Sequence, residues 1–256
     1  MHLFCLGLPL SLPLMQQKPS LVTVLSPRLL DLYTIEESVV VIIDVFRATS
    51  TIATALYNGA ASVIPVSAVD DCIAIGKQLG AITAGERDGK VIEGLQYGNS
   101  PAEYSRSFIE GKTLVLTTTN GTRLLQMALD RHAGAVVTGS FPNLSAVCEY
   151  LIQQKKNVIL GCSGWKDRFN IEDTLFAGAV VQRIQEHFTV HCDSSLMAAH
   201  LYNLHRADIK SFIRTTTHWH RLASYGLEKD LEYCVTADVA NVLPVYTNGC
   251  LVAGSY

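Results

Sequence analysis

The sequence predicts an α/β protein built on a mainly parallel sheet, and two observations carry that prediction. From Leu21 onward short β-branched runs alternate with longer amphipathic stretches, with turn or cap residues at the junctions. The run Val39-Val40-Val41-Ile42-Ile43 before Asp44 also lacks polar alternation, as expected of a strand covered on both faces of a parallel sheet. The predicted strands cover residues 21–25, 39–44, 62–66, 113–117, 135–138 and 158–161. Helical patterns at 50–58, 69–79, 122–133, 143–154 and 171–187 fall between or after them, and Gly59 and Gly80 stand just past two helix ends. Strands alternating with helices imply right-handed crossovers. After Asp193 the texture changes: residues 200–225 read as helical, and short β-like runs return at 233–236, 242–246 and 251–253. A strand, a polar loop and a Thr-bearing helix occur at 39–56 and again at 157–180, a faint internal echo.

The chain has 256 residues, 48% hydrophobic and 17% charged, enough for one large or two modest domains and far from a disordered composition. A net charge of -3 provides no general attraction for nucleic acid or an anionic membrane, so neither is an expected partner and any anion site must be built locally. Seven cysteines without a C-x-x-C spacing argue against a zinc ribbon or a secreted disulfide framework and favour the cytoplasm. Residues 1–20 read as an extra N-terminal segment, poorly ordered or the product of a mis-assigned start, with Met15 as the alternative start. Their apolar stretch lacks a basic leader and is broken by Pro9 and Pro13, so a signal peptide is the weaker reading. No later segment reaches about 18 uninterrupted apolar residues.

In an open α/β sheet ligands bind at the carboxyl ends of the strands, where helix N-termini point outward. Four loops there carry chemistry. Asp44-Val45-Phe46-Arg47-Ala48-Thr49-Ser50-Thr51 offers a carboxylate, a guanidinium and a hydroxyl-rich helix start; an ordinary strand-end Asp with a capped helix is the competing reading. Gly85-Glu86-Arg87-Asp88-Gly89-Lys90, followed by Gly98-Asn99-Ser100-Pro101, suits a backbone that comes close to a ligand, or a solvated charged turn. Thr117-Thr118-Thr119-Asn120-Gly121-Thr122 is a plausible oxyanion cradle, though not a Walker loop, and equally a Thr-rich strand with an Asn-Gly turn. Gly161-Cys162-Ser163-Gly164-Trp165-Lys166-Asp167-Arg168 precedes Glu172 and Asp173, which would face Asp44 as oxygen ligands or simply favour the helix dipole. Gly161 to Trp165 lacks the last Gly of a nucleophile elbow. Five residues separate Cys162 from Arg168, the spacing of a cysteine-phosphatase loop, so a Cys162 thiol nucleophile stands as a competing reading. The pairs His187/His191 and His218/His220 have no zinc-site neighbours and read as surface or core histidines.

Together, in order and spacing, these loops resemble the 2-phosphosulfolactate phosphatase family, as do Tyr225-Gly226-Leu227-Glu228-Lys229-Asp230 and Val242-Leu243-Pro244, over about residues 21–253. The resemblance implies a three-layer α/β/α architecture of two similar intertwined halves, approximately 21–140 and 141–256. It also implies Mg²⁺-dependent hydrolysis of a phosphate ester on a three-carbon sulfonated acid, a step toward coenzyme M. Asp44, Arg47, Arg168 and Glu172 are then the catalytic candidates, with Asp44, Glu86, Glu172 and Asp173 as metal ligands. Ser50, Arg87, Asn99, Thr119, Asn120, Thr122 and Ser163 are the substrate-binding candidates. Asp44 stands open as metal ligand, base or nucleophile, although residue 46 is Phe and the Asp-x-Asp signature of phosphoaspartate enzymes is absent. A homodimer is left open. The run Cys162-Ser163-Gly164-Trp165-Lys166 departs from the family's Cys-Ala-Gly-Arg-like run, so another small phosphorylated acid is the alternative substrate. A non-catalytic phosphate-ester binding protein and an enzyme using the Cys162 thiol are the rivals from other classes.

Overall fold

The computed structural model of the chain describes residues 18–87, 90–118 and 120–254. Most of the expected N-terminal segment, and Thr119, therefore lie outside the described residues. The strands are β1 (Leu21–Val24), β2 (Val39–Ile43), β3 (Ser62–Val66), β4 (Ile82–Arg87), β5 (Lys90–Val91), β6 (Thr113–Thr117), β7 (Ala135–Gly139), β8 (Val158–Cys162), β9 (Pro244–Thr247) and β10 (Cys250–Ala253). The helices are α1 (Ala48–Tyr57), α2 (Val69–Leu79), α3 (Arg106–Ile109), α4 (Gly121–Asp130), α5 (Leu144–Gln154), α6 (Ile171–Ile184), α7 (Asp193–His205), α8 (Ile209–Ile213), α9 (Thr217–Ala223) and α10 (Glu228–Cys234). Among the described residues no helix is long and apolar enough to cross a membrane.

All ten strands join one sheet in the order β1-β8-β2-β7-β9-β10-β3-β6-β4-β5. Two parallel groups, β1-β8-β2-β7 and β3-β6-β4, flank the antiparallel hairpin β9-β10. Alternate residues of β2 enter different cores: Val39, Val41 and Ile43 pack with Leu151 of α5 and Phe176 of α6, whereas Val40 and Ile42 pack with Leu124 and Leu125 of α4. The five fully apolar positions of β2 thus belong to the middle layer of three. The chain weaves between the two groups, because β2 lies in the first, β3 to β6 in the second, and β7 and β8 in the first again.

Two sequence readings are corrected. Residues 233–236 are not a strand: α10 runs to Cys234 and a turn closes on Thr236. Leu231 and Cys234, three apart, are the buried pair on α10, and Glu228 and Asp230 favour its N-terminus, so helical periodicity outweighs the β preference of Tyr233-Cys234-Val235-Thr236. Residues 85–87 belong to β4 and not to a loop. A Cβ on Gly85 would come within 2.4 Å of Thr117 Cγ2, so only glycine lets β4 approach β6, and that weak strand former hides the strand in the sequence.

Register fixes where each parallel group ends. Ile43 of β2 lies opposite Gly139 of β7 and Cys162 of β8, while Thr117 of β6 lies opposite Val66 of β3 and Gly85 of β4. The antiparallel links β7-β9, β9-β10 and β10-β3 make the second group run opposite to the first, so strand direction alone does not bring the loops after β2 and β6 together; they meet in the lining of one cleft.

Candidate active site

A cleft of about 280 Å³ is lined by Asp44, Phe46, Arg47, Glu86, Arg87, Asn99, Thr118, Asn120, Trp165, Lys166, His218, Arg221 and Leu222. Six sequence-predicted site residues meet here: Asp44, Arg47, Glu86, Arg87, Asn99 and Asn120. They come from the loops after β2 and β6, from the end of β4 itself and from the segment preceding α3.

Asp44 follows the last residue of β2 and is 8% exposed. Its carboxylate takes a hydrogen bond from the Gly121 amide at the start of α4, and a Cβ on residue 121 would stand 3.3 Å from Asp44 Oδ2. Burial pushes the carboxyl from 3.8 to about 6; Glu172 and Glu86 add to the rise, while His218 and the Gly121 amide oppose it. The acid is therefore largely ionised at neutral pH, but less securely than an exposed Asp.

Glu172 and Asp173, adjacent in the first turn of α6, are both buried and differ in what they do. Asp173 Oδ1 accepts the Val45 amide at 2.9 Å and Oδ2 accepts the Gly164 amide at 3.0 Å. It ties the loop after β2 to the loop after β8, and both its oxygens face backbone. Burial, with Glu172 and Asp44 nearby, holds its carboxyl well above the usual carboxylate range. Glu172 binds His218 Nδ1 through Oε1 and leaves Oε2 without a hydrogen-bond partner at 0% exposure. His218 Nε2 in turn lies 2.7 Å from Arg221 Nη2. Arginine has no acceptor, so Nε2 accepts and the proton sits on Nδ1, donated to Glu172. The tautomer, and with it the Glu172 orientation, is fixed from α9.

Arg47 is almost fully buried, and its guanidinium sits 2.5 Å from Asp230 Oδ2 on α10 and 4.0 Å from Glu86. Asp230 Oδ1 also accepts the Ser100 hydroxyl at 2.8 Å, so one carboxylate positions both the arginine and the loop bearing Asn99. Asn99 Oδ1 has no partner, nor have Ser163 Oγ and Arg221 Nε. Buried polar atoms are normally paired, and the unpaired Asn99 Oδ1 and Arg221 Nε on two lining residues of the cleft point to a polar ligand that pairs them.

Several predicted residues lie elsewhere. Ser50 Oγ donates to the Val45 carbonyl and Thr122 Oγ1 to the Thr118 carbonyl, so both hold loop backbone. Ser163 is 2% exposed behind the cleft. Arg168 lines a neighbouring, mostly apolar cavity of about 630 Å³ that also has Glu172 in its wall and shares His218 with the cleft. Cys162 is completely buried at the end of β8, and burial drives its thiol well above the ordinary value with Asp173 and Glu172 reinforcing it, the opposite of an activated thiolate. The sequence reading missed His218, Arg221 and Asp230 as site residues. His218 stood among other histidines with no signature, and only α9 folding against α6 brings it to Glu172.

Carboxylates at the ends of parallel strands, facing guanidinium groups and unpaired polar atoms, define an α/β enzyme whose cleft takes a small anion. A family profile described as 2-phosphosulpholactate phosphatase matches residues 24–249. The chain is 41% identical to a probable 2-phosphosulfolactate phosphatase of Thermotoga petrophila over 212 residues, 83% of this chain and 90% of that protein. It is 40% identical to one of Synechocystis over 211 residues, 80% and 87% of the two chains, and 36% identical to one of Clostridium acetobutylicum over 219 residues, 84% and 92%. The chain belongs to the 2-phosphosulfolactate phosphatase family, whose members are phosphoric monoester hydrolases.

Proposed function

We propose that the protein hydrolyses the phosphate ester of a small sulfonated or carboxylated acid with the help of Mg²⁺, and that 2-phosphosulfolactate, giving sulfolactate and phosphate, is the substrate. The observation that carries this reading is the pairing of two buried carboxylates, Asp44 and the half-satisfied Glu172, with arginines at the strand ends. The names of the curated relatives supply the substrate.

The residues fit a magnesium ion. Glu172 Oε2 is buried and unpartnered, Asp44 is close enough to feel its charge, and Glu86 stands at the wall. Mg²⁺ uses one or two protein carboxylates and completes its shell with water and substrate oxygens. Among the described residues no group of three or more His, Cys, Asp or Glu side chains is arranged for a metal, so protein carboxylates would supply only part of the ion's shell. When bound, the ion supplies neutralisation of phosphoryl charge.

The chain's own groups do the rest. Arg47, held by Asp230, and Arg87 present guanidinium charge to the phosphoryl oxygens, in a site whose partial burial strengthens each contact. Asp44 serves either as an ion ligand or as acceptor of the proton of the attacking water; both roles need its ionised form, which dominates above about 6. Water attack forms the new P–O bond and breaks the ester P–O bond, and the departing alkoxide is protonated. Asn99 and Asn120 offer amide contacts to the substrate.

Phosphate release from a panel of small phosphorylated acids, with Mg²⁺ and with chelator, tests the reading. We expect metal-dependent release, highest on 2-phosphosulfolactate, and a loss of about a thousandfold in Asp44→Asn. Folded protein that releases no phosphate from any of them defeats the proposal. Full activity in Asp44→Asn would put the site elsewhere.

A further inference from the structure

The positive charges of the cleft fall into two sets with different partners. Arg47 already has carboxylate partners in Asp230, at 2.5 Å, and Glu86, at 4.0 Å. On the facing wall Arg221 and Lys166 form no ion pair with any carboxylate among the described residues. Arg221 instead stacks on Trp165, its Cζ 4.4 Å from the ring centre, and Lys166 Nζ lies 4.7 Å from the same ring. An aromatic face holds a cation in place without cancelling its charge. The other contact of Arg221 is to His218 Nε2, a neutral acceptor in the tautomer derived above, and its Nε is buried with no partner. A free buried guanidinium N–H beside an unpaired ammonium, both braced by an indole, makes a receptor for an oxyanion.

The loop carrying this wall is built to hold it. Gly164, Lys166 and Asp167 all have positive φ, at 57°, 50° and 63°. A Cβ at residue 164 would stand 2.2 Å from the Arg168 carbonyl oxygen, so glycine is required for the tight turn in which Trp165 and Arg168 exchange backbone hydrogen bonds. Asp167 then pins the loop from outside through Arg28 at 2.9 Å and Arg123 at 2.6 Å.

We infer that Arg221, Lys166 and Trp165 form a second anion subsite, distinct from the phosphoryl end of the cleft at Asp44 and Arg47, which binds the acid group (sulfonate or carboxylate) on the carbon skeleton of the substrate. The inference rests on the phosphatase reading for its ligand, and it assigns selectivity to a segment on which the sequence departs from the family's usual run. A phosphate ester without a further acid group leaves this wall unpaired.

The test compares kcat/KM for three esters: 2-phosphosulfolactate, 2-phospholactate, which keeps only the carboxylate, and glycerol 2-phosphate, which has neither acid group. Wild type should prefer the acids to glycerol 2-phosphate by about a hundredfold, and that ratio should fall at least about tenfold in Lys166→Ala and in Arg221→Gln. A larger loss with 2-phosphosulfolactate than with 2-phospholactate assigns the subsite to the sulfonate, and equal losses assign it to the carboxylate. Arg221→Gln also touches His218, so Lys166→Ala, an exposed position, decides if the former fails to fold. An unchanged ratio in Lys166→Ala overturns the subsite while the phosphatase reading stands. If wild type hydrolyses none of the three, the phosphatase reading has failed, and calorimetry with sulfolactate decides the subsite alone: binding weakened about tenfold in Lys166→Ala upholds it, and equal or absent binding rejects it.

Discussion

The floor and the rim of the cleft are made differently. The floor, from Asp44 to Glu172 and Asp173, is buried, anchored to backbone amides and poor in solvent. The carboxyls of Asp44 and Asp173 are held above their ordinary range by the same burial that fixes them. The rim, Trp165, Lys166 and Arg221, is more open and rests on cation–aromatic contacts and a loop pinned by exposed ion pairs. Charge on the floor is costly to bury and is kept where chemistry needs it in one geometry; charge on the rim costs little and can vary with the ligand. Substitutions on the floor should therefore change rate and stability strongly, and those on the rim should change preference.

Beside the loss expected of Asp44→Asn, the largest effect on the floor should come from Glu172→Gln. The amide oxygen can still accept from His218, so shape is kept while the charge near Asp44 is lost. We expect phosphate release to fall about a hundredfold or more, with little change in melting temperature. A melting temperature that no longer rises with added Mg²⁺, where wild type rises, would add that the same oxygen holds the ion. Near-normal rate in this variant would erase the division between floor and rim.

Asp173→Ala should act on stability instead. It leaves the Val45 and Gly164 amides buried without acceptors, at a cost of about 3 kcal/mol, or roughly 6–12 °C in melting temperature. Calorimetry at neutral pH checks it, and a shift under about 2 °C would mean that water replaces the carboxylate there.

Asp44→Asn should have the opposite sign in stability. The Asp44 carboxyl is raised from 3.8 to about 6 in the folded protein, so between those values the folded chain binds more protons than the unfolded one. Stability is then fullest below 3.8, falls as the pH rises toward 6, and stays lower above it. The amide carries no such cost. With chelator present, the inactive variant should be more stable than wild type by about 2 kcal/mol at pH near 8, with the gap closing near pH 4. A variant less stable at both pH values would show that the carboxylate is a net structural asset.

What could be read in the sequence follows the same division. The parallel strands were legible because β2, β3, β6, β7 and β8 are apolar runs whose edges carry turn residues, and the residues at and after those strand ends include Asp44, Arg47, Glu86, Arg87, Asn99 and Asn120, which the fold brings to one cleft. Residue type could not tell Glu172 from Asp173: both are first-turn acids, and only the acceptance of two amides by Asp173 separates them. Arg168 looked catalytic because it follows the strand-end loop, but the tight turn at Gly164 directs it to the neighbouring cavity, and Arg221 supplies the cation in the cleft. His218 and Arg221 lie on a seven-residue helix whose position depends on packing of Trp219 and Leu222 into the main core, a relation that periodicity in their own segment does not encode.

The smallest effect tests the rim's support without touching its cations. Asp167→Asn keeps a residue that tolerates positive φ but removes the charge that Arg28 and Arg123 grip. These pairs are exposed, so the loop should loosen only slightly. KM for 2-phosphosulfolactate should rise about threefold with kcat unchanged, because the loop positions the subsite and not the carboxylates. Salt screens exposed pairs, so raising ionic strength should shrink the difference between wild type and variant. A fall in kcat instead would show that the loop is mechanically coupled to the floor, through the Gly164 amide on Asp173, and that the two parts of the cleft move as one.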